Sequence, residues 1–311
     1  MILGLGLLIK GADFLVNGAS ELARKYKVSD LAIGLTIVSF GTSAPEFVVN
    51  TYASFQNHQD IVFGNVIGSN NFNLFIILGI AGMITPLIVQ SSTVWKEIPI
   101  SFIAIVFLFI MANDFFDQDS HVMTRVDGFI LLAMFALFLF YVYKQLKSDK
   151  NEIESTQKNY GILKIWGFII GGLIGLIIGG RLVVTSAVEM ATTLGISEKI
   201  IGLTIVAVGT SLPELATSVV AAIKKNNDIA VGNIIGSNIF NIFFILAVSA
   251  LIQPIGYETV FNNDLYLLAG GTLFLFIAMF TGQKKKLDRW EAIVLLIIYI
   301  AYVVYLIGKE V

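Results

Sequence analysis

Apolar residues are gathered into ten long runs along the chain, and the short segments between the runs hold most of the charged residues. Each run is close to the length of about 20 residues that an α-helix needs to cross a bilayer. The pattern therefore predicts an all-α membrane protein with ten transmembrane helices. Their approximate limits are 1–22, 29–53, 61–85, 93–112, 126–146, 161–192, 197–223, 229–252, 263–281 and 288–307.

Composition and charge narrow the class of protein further. Of the 311 residues, 56% are hydrophobic and only 14% are charged, whereas about 25% of the residues in soluble domains are charged. A soluble enzyme is therefore excluded. A formal charge of −2 and the lack of a basic tract give no basis for nucleic-acid binding.

If successive spans cross the membrane in opposite directions, fifteen basic residues of the connecting segments lie on one side of the membrane and three on the other. Because cytoplasmic loops carry the excess of Lys and Arg, we expect both termini outside and the 144–164 loop in the cytoplasm. We also expect the protein to reside in the plasma (cell) membrane. The 144–164 loop is too short for a folded regulatory domain.

Two sequence blocks occur twice at one offset of 168 residues. Residues 33–46, IGLTIVSFGTSAPE, match residues 201–214, IGLTIVAVGTSLPE, at eleven of fourteen positions. Residues 64–73, GNVIGSNNFN, match residues 232–241, GNIIGSNIFN, at eight of ten positions. Two blocks with one spacing indicate that a unit of five spans has been duplicated.

An odd number of spans forces the second copy to enter the membrane from the opposite side, so the two halves should be inverted. Inverted repeats are typical of secondary transporters, whose substrate site lies near the middle of the membrane between the repeats. We place the first five-helix repeat at 1–147, a cytoplasmic linker at 148–160 and the second repeat at 161–311.

Glu46 and Glu214 are the only charged residues between 31 and 53 and between 200 and 222, respectively. A carboxylate at that depth costs about 2.5–3.5 kcal/mol, which makes each glutamate a candidate functional residue. A simpler interpretation is that Ser43 and Ser211 form capping boxes with these glutamates and only start a helix. Capping does not explain why a helix should start inside the membrane with an ionisable residue.

Pro45 and Pro213 should break the helices just before the glutamates, because proline lacks an N–H and its ring crowds the carbonyl four residues earlier. Those carbonyls belong to Gly41 and Gly209. Irregular backbone at membrane depth is tolerated where it lines a cavity, so we expect two discontinuous helices facing an ion site.

Oxygen-bearing side chains recur at steps of three or four residues around both glutamates, which places them along one helix face. In the first copy they are Ser39, Thr42, Ser43, Glu46 and Asn50, and in the second copy Thr210, Ser211, Glu214 and Ser218. In the following span of each copy they are Asn65, Ser69 and Asn73, and Asn233, Ser237 and Asn241. For Asn65 and Asn233 we favour hydrogen bonds between helices, and for Asn73 and Asn241 contact with an ion.

The chain has no cysteine and two histidines, His58 and His121, which excludes a disulfide framework, a thiolate nucleophile and a Cys/His zinc site. No Ser/His pair, aspartate pair or zinc motif suited to hydrolysis is present, so we expect neither an enzyme nor a cofactor. A metal ion must be bound by oxygen, which suits Na⁺ and Ca²⁺. Mg²⁺ fits less well because it requires a strict octahedron.

The two glutamates carry a charge of −2, which one Ca²⁺ neutralises and which two or three Na⁺ ions or two protons can neutralise in turn. A bare pair of carboxylates could not be closed off from water without several kcal/mol of desolvation per charge. The protein would therefore have to return loaded, which predicts obligatory antiport by alternating access.

Glycines recur through the first and sixth spans. Gly4, Gly11 and Gly18 follow a step of seven, and Gly167, Gly171, Gly175 and Gly179 a step of four. This spacing predicts close packing of the two helices. Asp13 and Arg181 occupy equivalent positions on them, and we interpret the two residues as an ion pair or as snorkelling ends.

The segments GTSAPE and GTSLPE, each followed by GNVIGSNNFN or GNIIGSNIFN, resemble the two α-repeats of the calcium/cation antiporter superfamily, in particular its sodium/calcium exchanger branch. The resemblance covers nearly the whole chain and implies ten helices in two inverted halves that exchange Na⁺ for Ca²⁺. It also implies a set of metal ligands on both repeats. These are Thr42, Ser43, Glu46, Ser69 and Asn73, and Thr210, Ser211, Glu214, Ser237 and Asn241.

Two features depart from that family pattern. Some members carry an aspartate where this chain has Asn241, and the amide argues against potassium co-transport. The 144–164 loop has no counterpart of the calcium-sensing domains of animal exchangers.

An H⁺/Ca²⁺ antiporter on the same scaffold and a cation channel with the glutamates as its filter are the alternatives. The oligomeric state stays open.

Overall fold

The computed structural model describes residues 1–113, 121–148, 160–193, 207–282 and 284–310. Helices dominate, as predicted. They are α1 (Ile2–Tyr26), α2 (Asp30–Thr42), α3 (Ala44–Phe55), α4 (Gln59–Ile84), α5 (Thr93–Asn113), α6 (Arg125–Ser148), α7 (Ile162–Thr193), α8 (Ala207–Gly209), α9 (Leu212–Ile223), α10 (Asn227–Ile252), α11 (Thr259–Ala278) and α12 (Arg289–Glu310).

Among the described residues, eight helices are long and apolar enough to span a membrane, and α2 with α3 forms a ninth span bent by 48°. The all-α membrane class is therefore confirmed. Helix α9 is a shorter apolar helix of 12 residues. It is the end of the predicted seventh span, 197–223, whose first ten residues lie outside the described part. The predicted linker, 148–160, also lies outside it, apart from its two end residues.

Two small antiparallel ladders tie loops together at the helix ends. Strand β1 (Leu87–Ile88) pairs with β4 (Lys286–Leu287), with Leu87 opposite Leu287. Strand β2 (Val122–Met123) pairs with β3 (Ile255–Gly256), with Val122 opposite Gly256. Each ladder joins two loops that alternating spans assign to the same side.

The centre of the molecule is formed by α4 and α10. In the most apolar stretch of each helix, 72% of α4 and 83% of α10 is buried, against 17% for α12. Helix α2 crosses α10 at Gly34 and Gly232, where a Cβ on either glycine would lie 3.2 Å from a backbone atom of the other. This close approach brings the bent α2–α3 segment of one half against the central helix of the other.

Helices α1 and α7 pack closely in antiparallel orientation, as their glycines predict. A Cβ on Gly4 would lie 2.9 Å from the carbonyl oxygen of Gly179, and a Cβ on Gly11 would lie 2.8 Å from that of Gly172. Side chains at these positions would therefore force the two backbones apart.

The predicted glycine row on α7 is partly wrong. A Cβ on Gly167 or Gly171 would meet no atom within 4 Å, and the contact row is instead Gly172, Gly175 and Gly179. The reason is geometric: residues four apart advance by about 40° per step around a helix of 3.6 residues per turn. A step of seven stays aligned and matches the step of Gly4 and Gly11.

The interpretation of Asp13 and Arg181 as an ion pair is also wrong. Asp13 Oδ1 lies 2.6 Å from the Nζ of Lys224, which follows α9. Arg181 makes no ion pair with any residue that the structure describes, and it lines a cavity beside Thr210. The repeat relation matches positions in two copies, and it does not require that the matched residues touch.

Candidate cation-binding site

Glu46 and Glu214 are both fully enclosed, each with 1% of its surface exposed. Each stands in the first turn of a helix, Glu46 in α3 and Glu214 in α9. Pro45 and Pro213 occupy the opening positions of those helices, where a missing N–H costs no hydrogen bond. The prolines thus start new helices in mid-span and position both carboxylates at the breaks.

The serines at the breaks bind the glutamates of the opposite half. Ser43 Oγ donates to Glu214 Oε1 at 2.8 Å, and Ser211 Oγ donates to Glu46 Oε1 at 2.9 Å. Ser43 and Ser211 occupy N-cap positions, yet neither makes a side-chain cap. The capping-box interpretation is therefore wrong for both, because the hydroxyls are directed across the interface between halves.

A second pair of serines extends this arrangement to the central helices. The hydroxyl oxygens of Ser43 and Ser237 lie 3.0 Å apart, and those of Ser211 and Ser69 lie 3.1 Å apart. All four serines are buried. Each carboxylate is thus flanked by a cluster of hydroxyl oxygens drawn from both halves.

Threonine and asparagine side chains form a further reciprocal pair of contacts. Thr42 Oγ1 donates to Asn233 Oδ1 at 3.0 Å, and Thr210 Oγ1 donates to Asn65 Oδ1 at 3.4 Å. Asn233 Nδ2 in turn donates to Ser218 Oγ at 3.0 Å. Asn65 and Asn233 therefore bridge helices, which is the role predicted for them.

Asn73 and Asn241 are linked across the molecule by two asparagines that are absent from the predicted set. Asn73 Nδ2 donates to Asn238 Oδ1 at 3.0 Å, and Asn241 Nδ2 donates to Asn70 Oδ1 at 2.9 Å. Asn70 and Asn238 lie within the repeated decapeptide and are equivalent at the 168-residue offset. That repetition is the signal by which they could have been found, since they fall off the predicted helix face.

The helix widens into π-turns where Asn73 and Asn241 stand. In α4 the π-turn covers Phe72–Ile77, and in α10 it covers Asn241–Leu246. Such turns are rare and are frequently found at functional sites.

Within the described part of the chain, several buried oxygens of the site have no hydrogen-bond partner. They are Glu46 Oε2, Glu214 Oε2, Asn73 Oδ1, Asn241 Oδ1 and Asn50 Oδ1. All are acceptors, and a buried acceptor without a partner costs about 1–3 kcal/mol. A cation coordinated by oxygen would satisfy such atoms, and two of them belong to carboxylates. In the described part of the chain no group of three or more His, Cys, Asp or Glu residues could bind a metal ion, so neutral oxygens must complete the ligand set.

All ten predicted ligands lie in the described part of the chain, and all except the half-buried Thr210 are buried. Hydrogen bonds join these residues in separate groups. Ser43 is bonded to Glu214 and Ser211 to Glu46, whereas Asn73 and Asn241 are connected through Asn238 and Asn70. Direct ligation of an ion by any of the ten stays a prediction.

A cavity of about 480 Å³ reaches the helix breaks from one side. It is bordered by Pro45, Pro213 and Thr210 at the breaks and by Gly180 and Arg181 on α7. On the opposite side, α1 is held against the end of α9. Lys224 Nζ donates to Asn17 Oδ1 at 2.7 Å in addition to its ion pair with Asp13.

These features define the class of protein as an all-α, polytopic membrane protein with two buried carboxylates at helix breaks, an arrangement suited to moving cations. The family model described as sodium/calcium exchanger protein matches residues 1–144 and 164–308. The chain therefore belongs to the sodium/calcium exchanger family.

Two relatives match over nearly their whole length. The chain is 36% identical to the putative antiporter CaxA of Alkalimonas amylolytica, over 97% of this chain and 96% of that protein. It is 32% identical to the sodium/calcium exchanger MaX1 of Methanosarcina acetivorans, over 98% and 97% of the two chains. A solved structure of the sodium-calcium exchanger NCX_Mj, soaked with 10 mM Na⁺ and 10 mM Sr²⁺, matches with a TM-score of 0.82 and 35% identity. That match covers 97% of this chain and 96% of the other.

Proposed function

We propose that the protein is a secondary antiporter that exchanges Na⁺ for Ca²⁺ by alternating access, with Glu46 and Glu214 as the central cation ligands. The observation that carries the proposal is the reciprocal pair of bonds from Ser43 to Glu214 and from Ser211 to Glu46. It gives each half of the molecule a direct contact with the carboxylate of the other. Each glutamate retains one buried oxygen with no partner among the described residues, which is available to a cation.

Electrostatics connects this site to exchange. The two carboxylates carry −2, and one Ca²⁺ balances that charge, as do two Na⁺ ions. Closing the site around bare carboxylates costs several kcal/mol per charge, so the loaded forms are the ones that cross between the two sides. A cation that leaves on one side must then be replaced before the protein returns.

Na⁺ as the counter-ion is supported by the relatives. MaX1 is named a sodium/calcium exchanger, and the NCX_Mj crystals were soaked with Na⁺ and Sr²⁺. Sr²⁺ is a divalent cation of the same hard, oxygen-preferring kind as Ca²⁺. A proton-driven antiporter and a channel differ from a Na⁺-driven antiporter in the gradient that drives Ca²⁺ uptake into vesicles.

We place the chain in the membrane as ten spans in two inverted repeats. Contacts between the halves support this arrangement, because they exchange under the 168-residue offset. Thr42 contacts Asn233 as Thr210 contacts Asn65, and Gly4 meets Gly179 as Gly11 meets Gly172. Reciprocal contacts of this kind are the mark of two units related by a two-fold axis.

The proposed ligand set is the predicted one. It comprises Thr42, Ser43, Glu46, Ser69 and Asn73, and Thr210, Ser211, Glu214, Ser237 and Asn241. Their hydroxyl, amide and carboxylate oxygens exceed the six to eight that Ca²⁺ takes, which leaves room for Na⁺ ions at overlapping positions.

Alternating access is supported by the difference between the two sides of the site. On one side Lys224 joins α9 to Asp13 and Asn17 of α1. On the other side the cavity separates Arg181 of α7 from Pro45 of α3. Helices α1 and α7 occupy equivalent positions in the two repeats, so each can adopt the arrangement that the other has now. When α7 packs as α1 does and α1 moves away as α7 does, the cavity closes and the side that Lys224 holds shut opens.

We place both termini outside the cell and the 144–164 loop in the cytoplasm of a cell-membrane protein. The excess of Lys and Arg on one side supports this orientation. The two ladders agree with it, since they pair loops only within a side. The Lys224 contact then closes the cytoplasmic side, and the cavity opens outward.

Calcium uptake into sealed vesicles that contain the purified protein tests the proposal. Vesicles loaded with Na⁺ and diluted into choline chloride should accumulate Ca²⁺, and vesicles with equal Na⁺ inside and outside should not. A pH gradient without Na⁺ separates the proton-driven antiporter. A channel would admit Ca²⁺ under a negative potential with no counter-ion, and that result would refute exchange.

A further inference from the structure

Four buried asparagines join the central helices α4 and α10. Asn70 and Asn73 belong to α4, and Asn238 and Asn241 belong to α10. No more than 4% of any of them is exposed. Asn73 and Asn241 are members of the proposed ligand set, and they are enclosed with two further amides that have no role in it.

A main-chain carbonyl fixes the orientation of the Asn70 amide. Asn70 Nδ2 donates to the carbonyl oxygen of Asn238 at 3.1 Å. A carbonyl oxygen can only accept a hydrogen bond, so the NH₂ end of Asn70 must face it. The Oδ1 end of Asn70 is left to accept from Asn241 Nδ2 at 2.9 Å. Reversing the Asn70 amide would set oxygen against oxygen at one contact and nitrogen against nitrogen at the other.

The orientation of Asn241 follows from that of Asn70. Because Asn241 gives its Nδ2 to Asn70, its Oδ1 is turned away from that contact, and this oxygen has no hydrogen-bond partner among the described residues. An amide oxygen is a ligand for hard cations, whereas an NH₂ group is a donor and cannot coordinate one. Asn70 thus determines which end of Asn241 is free for an ion.

The same arrangement recurs in the opposite direction. Asn238 Nδ2 donates to the carbonyl oxygen of Asn70 at 3.3 Å, and Asn238 Oδ1 accepts from Asn73 Nδ2 at 3.0 Å. Asn73 Oδ1 is again a buried acceptor with no partner in the described part of the chain. All four side chains are neutral, so the network directs two amide oxygens without adding to the charge of −2 on the glutamates.

We propose that Asn70 is a positioning residue for the cation site. It holds the amide of Asn241, which belongs to the other half of the molecule, with Oδ1 toward the ion and the NH₂ group away from it. Asn70 itself does not bind the ion, because both of its polar side-chain atoms are used in bonds to α10. The inference rests on the proposed function, in which Asn241 is a cation ligand.

Calcium binding to the full-length protein in detergent, measured by isothermal titration calorimetry in Na⁺-free buffer, tests the role of Asn70. Asn70→Leu is close in size and removes both bonds, so nothing then holds the NH₂ group of Asn241 away from the site. We expect Ca²⁺ to bind about tenfold more weakly, because ligation by Oδ1 now leaves that NH₂ group buried without an acceptor. Native affinity in this variant would overturn the proposal.

Asn71→Leu is the matched control. Asn71 is the next residue of α4, is also buried, and donates its Nδ2 to the carbonyl oxygen of Asp264 in the other half at 3.1 Å. It makes no hydrogen bond to a predicted ligand within the described residues. The variant should lower the midpoint of thermal unfolding and bind Ca²⁺ with native affinity. Equal weakening of Ca²⁺ binding in both leucine variants would show that Asn70 acts through packing alone.

An Asn241→Asp background separates positioning from packing. Both ends of a carboxylate are oxygen, so neither orientation is wrong, and Asn70 Oδ1 then faces an acceptor instead of a donor. In this background Asn70→Leu should leave Ca²⁺ affinity unchanged or raise it. A loss of affinity as large as that in the native background would refute the role of Asn70 in orienting the amide.

Sodium-driven uptake into vesicles distinguishes failure of this inference from failure of the proposed function. If the native protein binds Ca²⁺ but shows no Na⁺-driven uptake, exchange is refuted and the comparison of binding still decides the role of Asn70. If the native protein exchanges and Asn70→Leu binds Ca²⁺ with native affinity, only the role of Asn70 is refuted. A native protein that binds no Ca²⁺ would refute both.

Discussion

The hydroxyl of Ser43 in the first half of the chain donates a hydrogen bond of 2.8 Å to Glu214 Oε1 in the second half, although the two residues are 171 positions apart. The bond has a counterpart from Ser211 to Glu46 at 2.9 Å. A movement of one half against the other must therefore change the surroundings of both carboxylates at once. This coupling is what an exchanger requires of its ion site.

Replacing either glutamate by its amide should abolish Ca²⁺ transport. Glu46→Gln or Glu214→Gln keeps the shape of the side chain and removes one of the two negative charges that balance Ca²⁺ in the proposed site. We expect uptake at the background level and a folded protein in size-exclusion chromatography. The control is Glu258→Gln, on an exposed residue in the loop before α11, which should transport normally. Normal exchange by either buried variant would refute the assignment of the ligands.

Removing the serine hydroxyls separates ion binding from helix capping. Ser43→Ala or Ser211→Ala removes a hydrogen bond to a charged group, a loss of about 1.5–3 kcal/mol. We expect the Ca²⁺ concentration for half-maximal uptake to rise at least tenfold.

The control is Ser29→Ala, because Ser29 Oγ does accept from the N–H of Ala32 at 3.3 Å and caps α2. It should lower the free energy of unfolding by about 1 kcal/mol and leave Ca²⁺ affinity unchanged. If Ser43→Ala behaved like Ser29→Ala, the hydroxyl would be a cap after all.

Alanine at two glycines of the α1–α7 pair should have opposite effects. At Gly11 the new methyl group would lie 2.8 Å from a backbone oxygen, and overpacking of this kind costs about 1–3 kcal/mol. Gly167 faces open space, where alanine gains up to about 1 kcal/mol of helix propensity. Thermal unfolding should therefore show a lower midpoint for Gly11→Ala and an equal or higher one for Gly167→Ala. A higher unfolding midpoint for Gly11→Ala than for Gly167→Ala would contradict the observed glycine contacts between α1 and α7.

Removing the contacts of Lys224 with Asp13 and Asn17 should open the side of the molecule where they hold α1 against the end of α9. Ala12 is the repeat counterpart of Gly180, which borders the cavity, yet Ala12 is fully buried. The chain has no cysteine of its own, so an Ala12→Cys substitution can be followed with a thiol reagent without background.

We expect Lys224→Met to raise the labelling rate of Ala12→Cys about threefold, since a partly exposed ion pair is worth up to about 1 kcal/mol. Lys25→Met, which removes an exposed charge on the same side, should leave that rate unchanged. Equal labelling in all three proteins would show that the contact does not hold this side shut.

Much of the fold follows from local patterns in the sequence. Helix α10 is predicted as 229–252 and spans Asn227–Ile252, because a long apolar run has few alternatives in a membrane. The breaks before Glu46 and Glu214 are equally local, since they depend on Pro45 and Pro213 within one helical turn. The Ser-x-x-Glu pattern misled for a physical reason. Each serine hydroxyl is directed toward the carboxylate of the other half, which accepts its hydrogen bond, and it makes no bond to the N–H groups of its own helix.

The sequence by itself determined the class of protein, the duplicated unit and the residues that bring oxygen into the membrane, because hydropathy, proline and repetition act over short stretches of chain. Only the tertiary structure decided which oxygens meet. The bonds of Asn70 and Asn238, the pairing of Asp13 with Lys224 and the glycine row on α7 depend on how two halves dock. Docking is set by the fit of whole helix surfaces over more than a hundred intervening residues, and no local pattern encodes that fit.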